Sequence, residues 1–298
     1  MNSRKISQTA LGTAIGRALE NGMPEDRRLF SDPLAVKFLP FSYRAILRLL
    51  ETPRIGRILL EKREKEIPGV MGNLICRTRF IDDTLRDALA RGIRQVVILG
   101  AGMDSRPYRL PGNEGTRFFE ADHPATLEWK RIRVRKLKGG IPANTEFVPI
   151  DFTKDDLASG LFYTGFRTDQ RTLFIWEGVS QYIGADAVDS TLKCIKRVSA
   201  PGSRLVFTYI RRDFIDNCGD SEEFRKFLEE LRKKDEPWKF GIAPESLDRF
   251  LRERGFRLVS DTGAADYRGL YLEKTGRDMD LFEGERVAVA EVQEASAL

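Results

Sequence analysis

The sequence predicts an α/β protein with a doubly wound, mainly parallel seven-stranded sheet, and three observations carry that prediction. Short apolar runs, often β-branched, recur from residue 95 onward, as strands buried on both faces do. Stretches of helical spacing fall between several of them, the alternation that places helices on both faces of a parallel sheet. The first run, Val96-Val97-Ile98-Leu99, passes directly into Gly100-Ala101-Gly102, at the carboxyl end of a strand, where such sheets bind ligands.

Ahead of the sheet the chain reads as helical. Residues 7–19 carry apolar side chains at helical spacing and stop at Asn21-Gly22. Asp32-Pro33 is expected to open a helix, Asp as N-cap and Pro at N1, with Leu34, Val36, Phe38 and Leu39 on its apolar face. Residues 43–66 form a longer helical stretch, broken near Thr52-Pro53 and closed by Pro68-Gly69. Residues 77–90 form another, with Ile81, Leu85, Ala88 and Leu89 inward. Strands are expected at residues 95–99, 117–121, 146–150, 171–176, 204–210, 256–261 and 286–292. Helices are expected at 124–137, 185–198 and 244–254, and a charged helical insertion at 214–234. The chain thus divides into a helical cap or lid over residues 1–76 and a ligand-binding core over 77–298, with a lid insertion at about 211–243.

Composition narrows the function. With 298 residues and 41% hydrophobic content the chain can bury a substantial core. A single histidine excludes metal sites that need two, and no metal is expected. Cys76, Cys194 and Cys218 lie far apart and form no C-x-x-C, which fits a reducing, cytoplasmic compartment. No apolar run approaches the length of a membrane span, and residues 1–21 lack the apolar core of a signal peptide, so no membrane partner is expected. Lys+Arg number 50 against Asp+Glu 45, a net charge of +5 with the signs mixed. The one concentrated basic stretch, residues 130–138, reads as a solvated helix face; an RNA-facing patch is the alternative, and nucleic acid is disfavoured as a partner.

The glycines let a ligand approach the backbone closely, since no Cβ intervenes. Asp122 ends the second expected strand about twenty residues later, where an acid can accept both ribose hydroxyls of a nucleoside. Asp151 ends the third and could accept the exocyclic amine of adenine, with Phe152 against the ring. Asp122 and Asp151 could instead be helix N-caps. Two cofactors fit, a dinucleotide or S-adenosylmethionine, and the sequence favours the second. Ser105 stands where the dinucleotide pattern wants Gly or Ala, and no Tyr-x-x-x-Lys pair occurs. S-adenosylmethionine also ends in a carboxylate, which an arginine fork from Arg77 or Arg79 could meet.

At these residues the chain resembles the leucine carboxyl methyltransferase family, which includes tetracenomycin-type polyketide O-methyltransferases. The loop from Gly100 to Leu110 looks like the family's signature loop. Thr9-Ala10, Arg17-Ala18, Phe30-Ser31-Asp32-Pro33, the segment Arg77 to Asp83, Phe119 to Pro124, Val148 to Phe152, Trp176-Glu177-Gly178 with Tyr182, and Gly241 to Gly255 match in order. The resemblance implies a Rossmann-like class I methyltransferase with a helical lid, S-adenosylmethionine as cofactor and S-adenosylhomocysteine as product. It implies that Arg77 holds the methionine carboxylate and that Gly100, Ala101 and Gly102 flank the methionine part. It further implies Asp122 with His123 at the ribose, Asp151 with Phe152 at the adenine, and Glu177 facing the cofactor's amino end. Leucine-specific members bind the cofactor partly through a lysine in the N-terminal segment; this chain departs from that pattern, with Arg17 as the candidate substitute.

Methyl transfer to a carboxylate needs no general base, because the acceptor is already ionised at neutral pH, and catalysis then comes from alignment and removal of water. The expected activity is O-methylation of a carboxylate on a small molecule, polyketide-like or another organic acid, or on a peptide C-terminus; an NAD(P)-dependent oxidoreductase is the alternative. Glu177, Tyr182 and Tyr209 are the candidate catalytic residues, and Tyr182, Tyr209, Arg211 and Trp238 the candidate acceptor contacts, with Arg212 and Phe240 as further possibilities. Arg106 and Arg109 are expected to form internal salt bridges to strand-end acids rather than to meet the acceptor. Replacing Arg77 or Asp122 by Ala is expected to weaken cofactor binding without unfolding the core.

Overall fold

The structure, a computed structural model, describes residues 8–112, 115–152, 154–217 and 221–294; Cys218 lies outside them. Seven strands form one sheet in the order β3-β2-β1-β4-β5-β7-β6. They are β1 (Gln95–Leu99), β2 (Arg117–Asp122), β3 (Thr145–Pro149), β4 (Thr172–Trp176), β5 (Arg204–Ile210), β6 (Phe256–Thr262) and β7 (Glu285–Val292). Each falls within a residue or so of its expected place. β1 to β5 pair in parallel, and β7 inserts antiparallel between β5 and β6. The fold is therefore α/β, doubly wound and mainly parallel. β1 and β4, in the middle of the sheet, are buried along their whole length, which is why their sequences are apolar without alternation.

Each face of the sheet carries its own core. Val97, Leu99, Phe119, Phe174, Trp176, Phe207 and Tyr209 face α8 (Leu157–Tyr163), α9 (Ala185–Val198) and α12 (Leu247–Arg252). Val96, Ile98, Phe118, Leu173, Ile175 and Val206 face Ile75, Ile81, Leu85 and Ala88 of α5 (Val70–Ala90). The boundary expected at residues 76 and 77 falls inside this single helix. α5 starts at Gly69, where φ is +74° and a Cβ would lie 2.3 Å from the Leu281 backbone, so glycine is required there.

The cap consists of α1 (Gln8–Asn21), α2 (Ala35–Phe38), α3 (Phe41–Leu50) and α4 (Pro53–Glu66), with the break at Thr52-Pro53 as expected. The helix expected after Asp32-Pro33 is only four residues long and has Leu34 at its N-cap position. Asp32 still serves its start, accepting the N–H groups of Leu34 and Ala35 at 3.2 and 3.0 Å. α1, α2, α3 and α7 (Pro124–Lys138) share one apolar core that includes Leu11, Phe38, Leu47, Trp129 and Val134, with α2 packed on α7 and α1 on α2 and α3.

α6 (Arg106–Arg109) is a single turn after the glycine loop. The insertion after β5 is α10 (Arg212–Asp216) and α11 (Glu222–Lys233) rather than one stretch. Phe224, Leu228 and Leu231 of α11 recur at i, i+4 and i+7 and pack against Phe282. Between β6 and β7 lie α13 (Ala264–Tyr267) and a π-helical turn at Arg268–Leu272, neither of which was expected. Among the described residues no helix is long and apolar enough to cross a membrane.

Candidate functional site

The glycine turn and the second strand are fastened to each other by backbone and carboxylate. The N–H groups of Gly100 and Ala101 both donate to the Ala121 carbonyl, at 2.8 and 3.1 Å. Gly100 has φ +68°, and a Cβ there would lie 2.2 Å from Val179 Cγ2. The Gly102 N–H donates to Asp122 Oδ2 at 2.7 Å, and the His123 N–H to Asp122 Oδ1 at 2.6 Å. A carboxylate offers about four lone-pair sites, so two remain for a ligand. The N-cap of α7 is His123, whose Nδ1 accepts from the Ala125 N–H, and the N-cap of α8 is Asp156. Neither Asp122 nor Asp151 is a helix cap.

One cavity of about 1380 Å³ joins these elements. It runs from Ile150, Asp151 and Phe152 past Asp122 and His123, along Gly100 to Asp104, to Glu177, Gly178, Tyr182 and Trp238. Pockets for a single small ligand occupy roughly 300–1,000 Å³, so this one has room for a nucleoside-sized group and a second molecule. Two buried side-chain acceptors on its wall, Asn73 Oδ1 and Gln181 Oε1, have no hydrogen-bond partner among the described residues. An unpaired buried acceptor is costly, and a bound molecule that donates to it removes the cost.

The cavity floor is a charged lattice. Arg77 Nε donates to Glu177 Oε1 at 3.0 Å, and its Nη1 to both carboxylate oxygens of Glu285 at 2.6 Å. Arg106 is fully buried; its Nε donates to Asp82 at 2.8 Å, and its Nη1 to Asp104 Oδ2 at 2.6 Å and Glu177 Oε2 at 2.7 Å. Arg109 donates to both oxygens of Asp82 at 2.8 Å. Arg106 and Arg109 are thus internal, as expected, but only Arg106 meets a strand-end acid, Glu177; the partner of Arg109, Asp82, lies within α5. Arg17 donates to the Met103 carbonyl at 2.6 Å, from the cavity wall. Burial disfavours the charge on Glu177, but Arg106 and Arg77 outweigh it and hold its carboxyl below the ordinary range. The same contest at Asp104, won by Arg106, Lys130 and Arg17, holds that carboxyl down at about 2.

Several expected site residues are elsewhere. Tyr209 points to the opposite face of β5, fully buried, and its hydroxyl donates to Asp261 at 3.0 Å; it does not line the cavity. The alternation of a strand explains this, because its neighbour Thr208 faces the site and accepts the Gly178 N–H at 2.8 Å. Arg211 is paired with Asp213 at 2.7 Å, away from the cavity, and Arg212 is exposed. Phe240 packs on Phe250 in the sheet core. Arg79 is held by Asp83 and the Leu29 carbonyl. Tyr182 and Trp238 do line the cavity.

Sequence reasoning missed three participants. Glu285 begins β7, 208 positions from Arg77, and no local spacing announces it. Asp104 looked like part of the loop. Lys130 looked like surface, but it is fully buried: its Nζ donates to Glu120 Oε1 at 2.5 Å and to the Ala101 carbonyl at 3.1 Å, while the Tyr108 hydroxyl donates to Glu120 Oε2 at 2.6 Å. The available signal was spacing, since Leu127, Lys130 and Val134 share the buried face of α7. The lysine braces the glycine loop from behind.

Comparison with known proteins agrees with this geometry. The family model for leucine carboxyl methyltransferase matches residues 10–196. A protein of Frankia alni, provisionally named an S-adenosyl-L-methionine-dependent methyltransferase, is 34% identical over 83% of this chain and 85% of its own. A protein of Parafrankia sp. with the same kind of provisional name is 38% identical over 89% of this chain and 82% of its own. Among solved structures, a DUF574 family protein from Streptomyces avermitilis covers 94% of this chain and 97% of its own at 14% identity, with a TM-score of 0.59, a likeness of fold.

Proposed function

The chain belongs to the leucine carboxyl methyltransferase family and is an S-adenosylmethionine-dependent methyltransferase, and we propose on that premise that it esterifies a carboxylate of a small organic acid. The observation that carries the acceptor class is the state of the acids at the transfer end. Glu177 is clamped between Arg77 and Arg106, and Asp104 is held at about 2. Carboxylates so stabilised in the charged form are poor bases. A hydroxyl acceptor needs a base; a carboxylate acceptor arrives ionised and does not. The single histidine is engaged at the start of α7.

The residues present fit the cofactor. Asp122, seated by two N–H groups, keeps lone pairs for the ribose diol, with His123 at that edge. Asp151 and Phe152 hold the adenine, and Gly100, Ala101 and Gly102 admit the methionyl chain. Glu177 faces its ammonium. Arg77 would meet its carboxylate through Nη2, because Nε and Nη1 are committed to Glu177 and Glu285. Gly178 lies beside that nitrogen, a Cβ there standing at an ordinary contact of 3.6 Å, and its φ of +67° is what favours glycine. The bound cofactor supplies a methyl carbon activated by its sulfonium. The chain aligns the acceptor oxygen with that carbon and excludes water. Tyr182, Trp238 and Phe227 form the acceptor wall.

The family membership leaves the dinucleotide reading without support. A labelled-methyl transfer screen over aromatic and aliphatic acids, and peptides ending in leucine, tests the proposal. A base-labile methyl ester on a small acid is the expected product. A base-stable ether would move the reading to a hydroxyl acceptor, and a peptide-only product would move it to a protein C-terminus.

A further inference from the structure

The α3–α4 hairpin carries an apolar surface that the fold leaves uncovered. Phe41 is 81% exposed and Ile58 63%, and Ile46, Leu49 and Ile55 are each exposed by more than 40%. These five lie within eighteen residues, and they are half of the large exposed apolar side chains among the described residues. α3 buries Leu47 into the cap on one side and turns Phe41 and Leu49 outward on the other. Such clustering on a soluble surface marks a contact face.

The charges along this hairpin are predominantly basic. Between residues 37 and 66 the sequence has Lys37, Arg44, Arg48, Arg54, Arg57, Lys62, Arg63 and Lys65 against Glu51, Glu61, Glu64 and Glu66. α7 belongs to the same cap core, with Trp129 and Val134 in one apolar cluster with Tyr43 and Leu47 of α3. There Ile132 is 44% exposed, and Arg131, Arg135 and Lys136 are exposed. The solvated part of the basic run adds further cations and an exposed isoleucine to the cap that carries the hairpin.

We infer that this face docks the enzyme on an anionic lipid surface, with Phe41, Ile46, Leu49, Ile55 and Ile58 entering the acyl boundary and the arginines and lysines meeting the headgroups. Basic residues interleaved with large apolar ones are the pattern of interfacial helices. A second copy of the chain is disfavoured by charge, because a self-complementary contact would set these cations against themselves. Nucleic acid is disfavoured by the side chains, since four of the five apolar residues are isoleucine or leucine, which neither stack on bases nor bond phosphates. Docking needs no membrane-spanning helix. It also brings the end of α4 to the bilayer, where Glu64, Lys65, Glu66 and Ile67 form part of the cavity wall.

The test is co-sedimentation of the full chain with vesicles of phosphatidylcholine alone and of phosphatidylcholine mixed with phosphatidylglycerol. Binding to the anionic vesicles, weakened by salt, is expected, with little binding to the neutral ones. Phe41→Ser/Ile58→Ser and, separately, Arg48→Glu/Arg54→Glu should each reduce it at least about tenfold while leaving circular dichroism and S-adenosylhomocysteine affinity unchanged. No binding to anionic vesicles, equal binding to both kinds, or wild-type binding by either variant overturns the inference. So does a dimer that Phe41→Ser/Ile58→Ser dissolves, or tighter, salt-sensitive binding to a homopolymeric RNA.

Discussion

Arg77 Nη1 lies 2.6 Å from both carboxylate oxygens of Glu285, joining the helix that enters the core to the last strand of the sheet. Both side chains are nearly buried, at 11% and 6% exposure. Removing one partner of such a pair strands the other as an uncompensated charge. Arg77→Met should therefore cost about 3–5 kcal/mol of stability, measured by urea unfolding at neutral pH, in addition to weakening cofactor binding. Arg77→Met/Glu285→Gln should recover part of that loss. This revises the expectation from sequence that Arg77 could be removed without harm to the core. A single variant as stable as wild type would show that the pair contributes little.

Asp122 makes a different prediction, because its carboxylate accepts one N–H on each oxygen. Asp122→Asn keeps one acceptor and turns an amide donor toward either Gly102 or His123. The glycine turn loses its anchor and the ribose loses an acceptor. Affinity for S-adenosylhomocysteine should fall at least tenfold, about 1.4 kcal/mol, by isothermal titration. The thermal midpoint should move only a few degrees, since Asp122 sits at the edge of the cavity. Unchanged affinity would place the ribose elsewhere.

The strands were legible because strands buried on both faces must be apolar without a break, and glycine or an acid punctuates their ends. The strand order was not, because β7 reads like any other strand; only packing inserts it antiparallel between β5 and β6. The loop residues of the site were legible for the same reason as the strands: Gly100, Gly102, Asp122 and Asp151 mark strand ends. What failed was orientation and pairing at a distance. Tyr209 lies one residue from Thr208, but strand alternation sends it to the other face. Lys130 stood among surface cations while its place on the α7 face buried it. No spacing rule reaches from Arg77 to Glu285.

Gly100 tests whether the close approach of the glycine turn is obligatory. A Cβ there would lie 2.2 Å from Val179 Cγ2, and φ is +68°. Gly112 has a similar φ of +78°, but a Cβ there meets nothing within 4 Å. Gly112→Ala should cost only the backbone strain, about 1–2 kcal/mol. Gly100→Ala adds an overpacking cost of about 1–3 kcal/mol and should also lower cofactor affinity, because the turn must shift. Gly100→Ala/Val179→Ala should restore part of the stability, read from urea midpoints. If the two single variants cost the same, the contact with Val179 is easily relieved.

Asp104 supplies a pH dependence whose sign is fixed by its environment. Its carboxyl is held at about 2, against an ordinary 3.8. A folded-state pKa below the unfolded one stabilises the fold once pH exceeds the unfolded value, and this stabilisation is lost as pH falls through the folded value. The window for Asp104 thus runs from about pH 4 down to about pH 2. At about 1.4 kcal/mol per unit the full effect is about 2 kcal/mol, of which about 1 kcal/mol is gone by pH 3. Glu177, also held low, adds to the loss on the same side. Unfolding free energy measured in urea at pH 6, 4 and 3 should decline, and Asp104→Asn should decline less over that range while starting lower at pH 6. The lower start follows because Arg106 loses the carboxylate that its Nη1 meets at 2.6 Å. A variant with the same acid limb as wild type would mean that Asp104 is not held in the charged form by Arg106, Lys130 and Arg17.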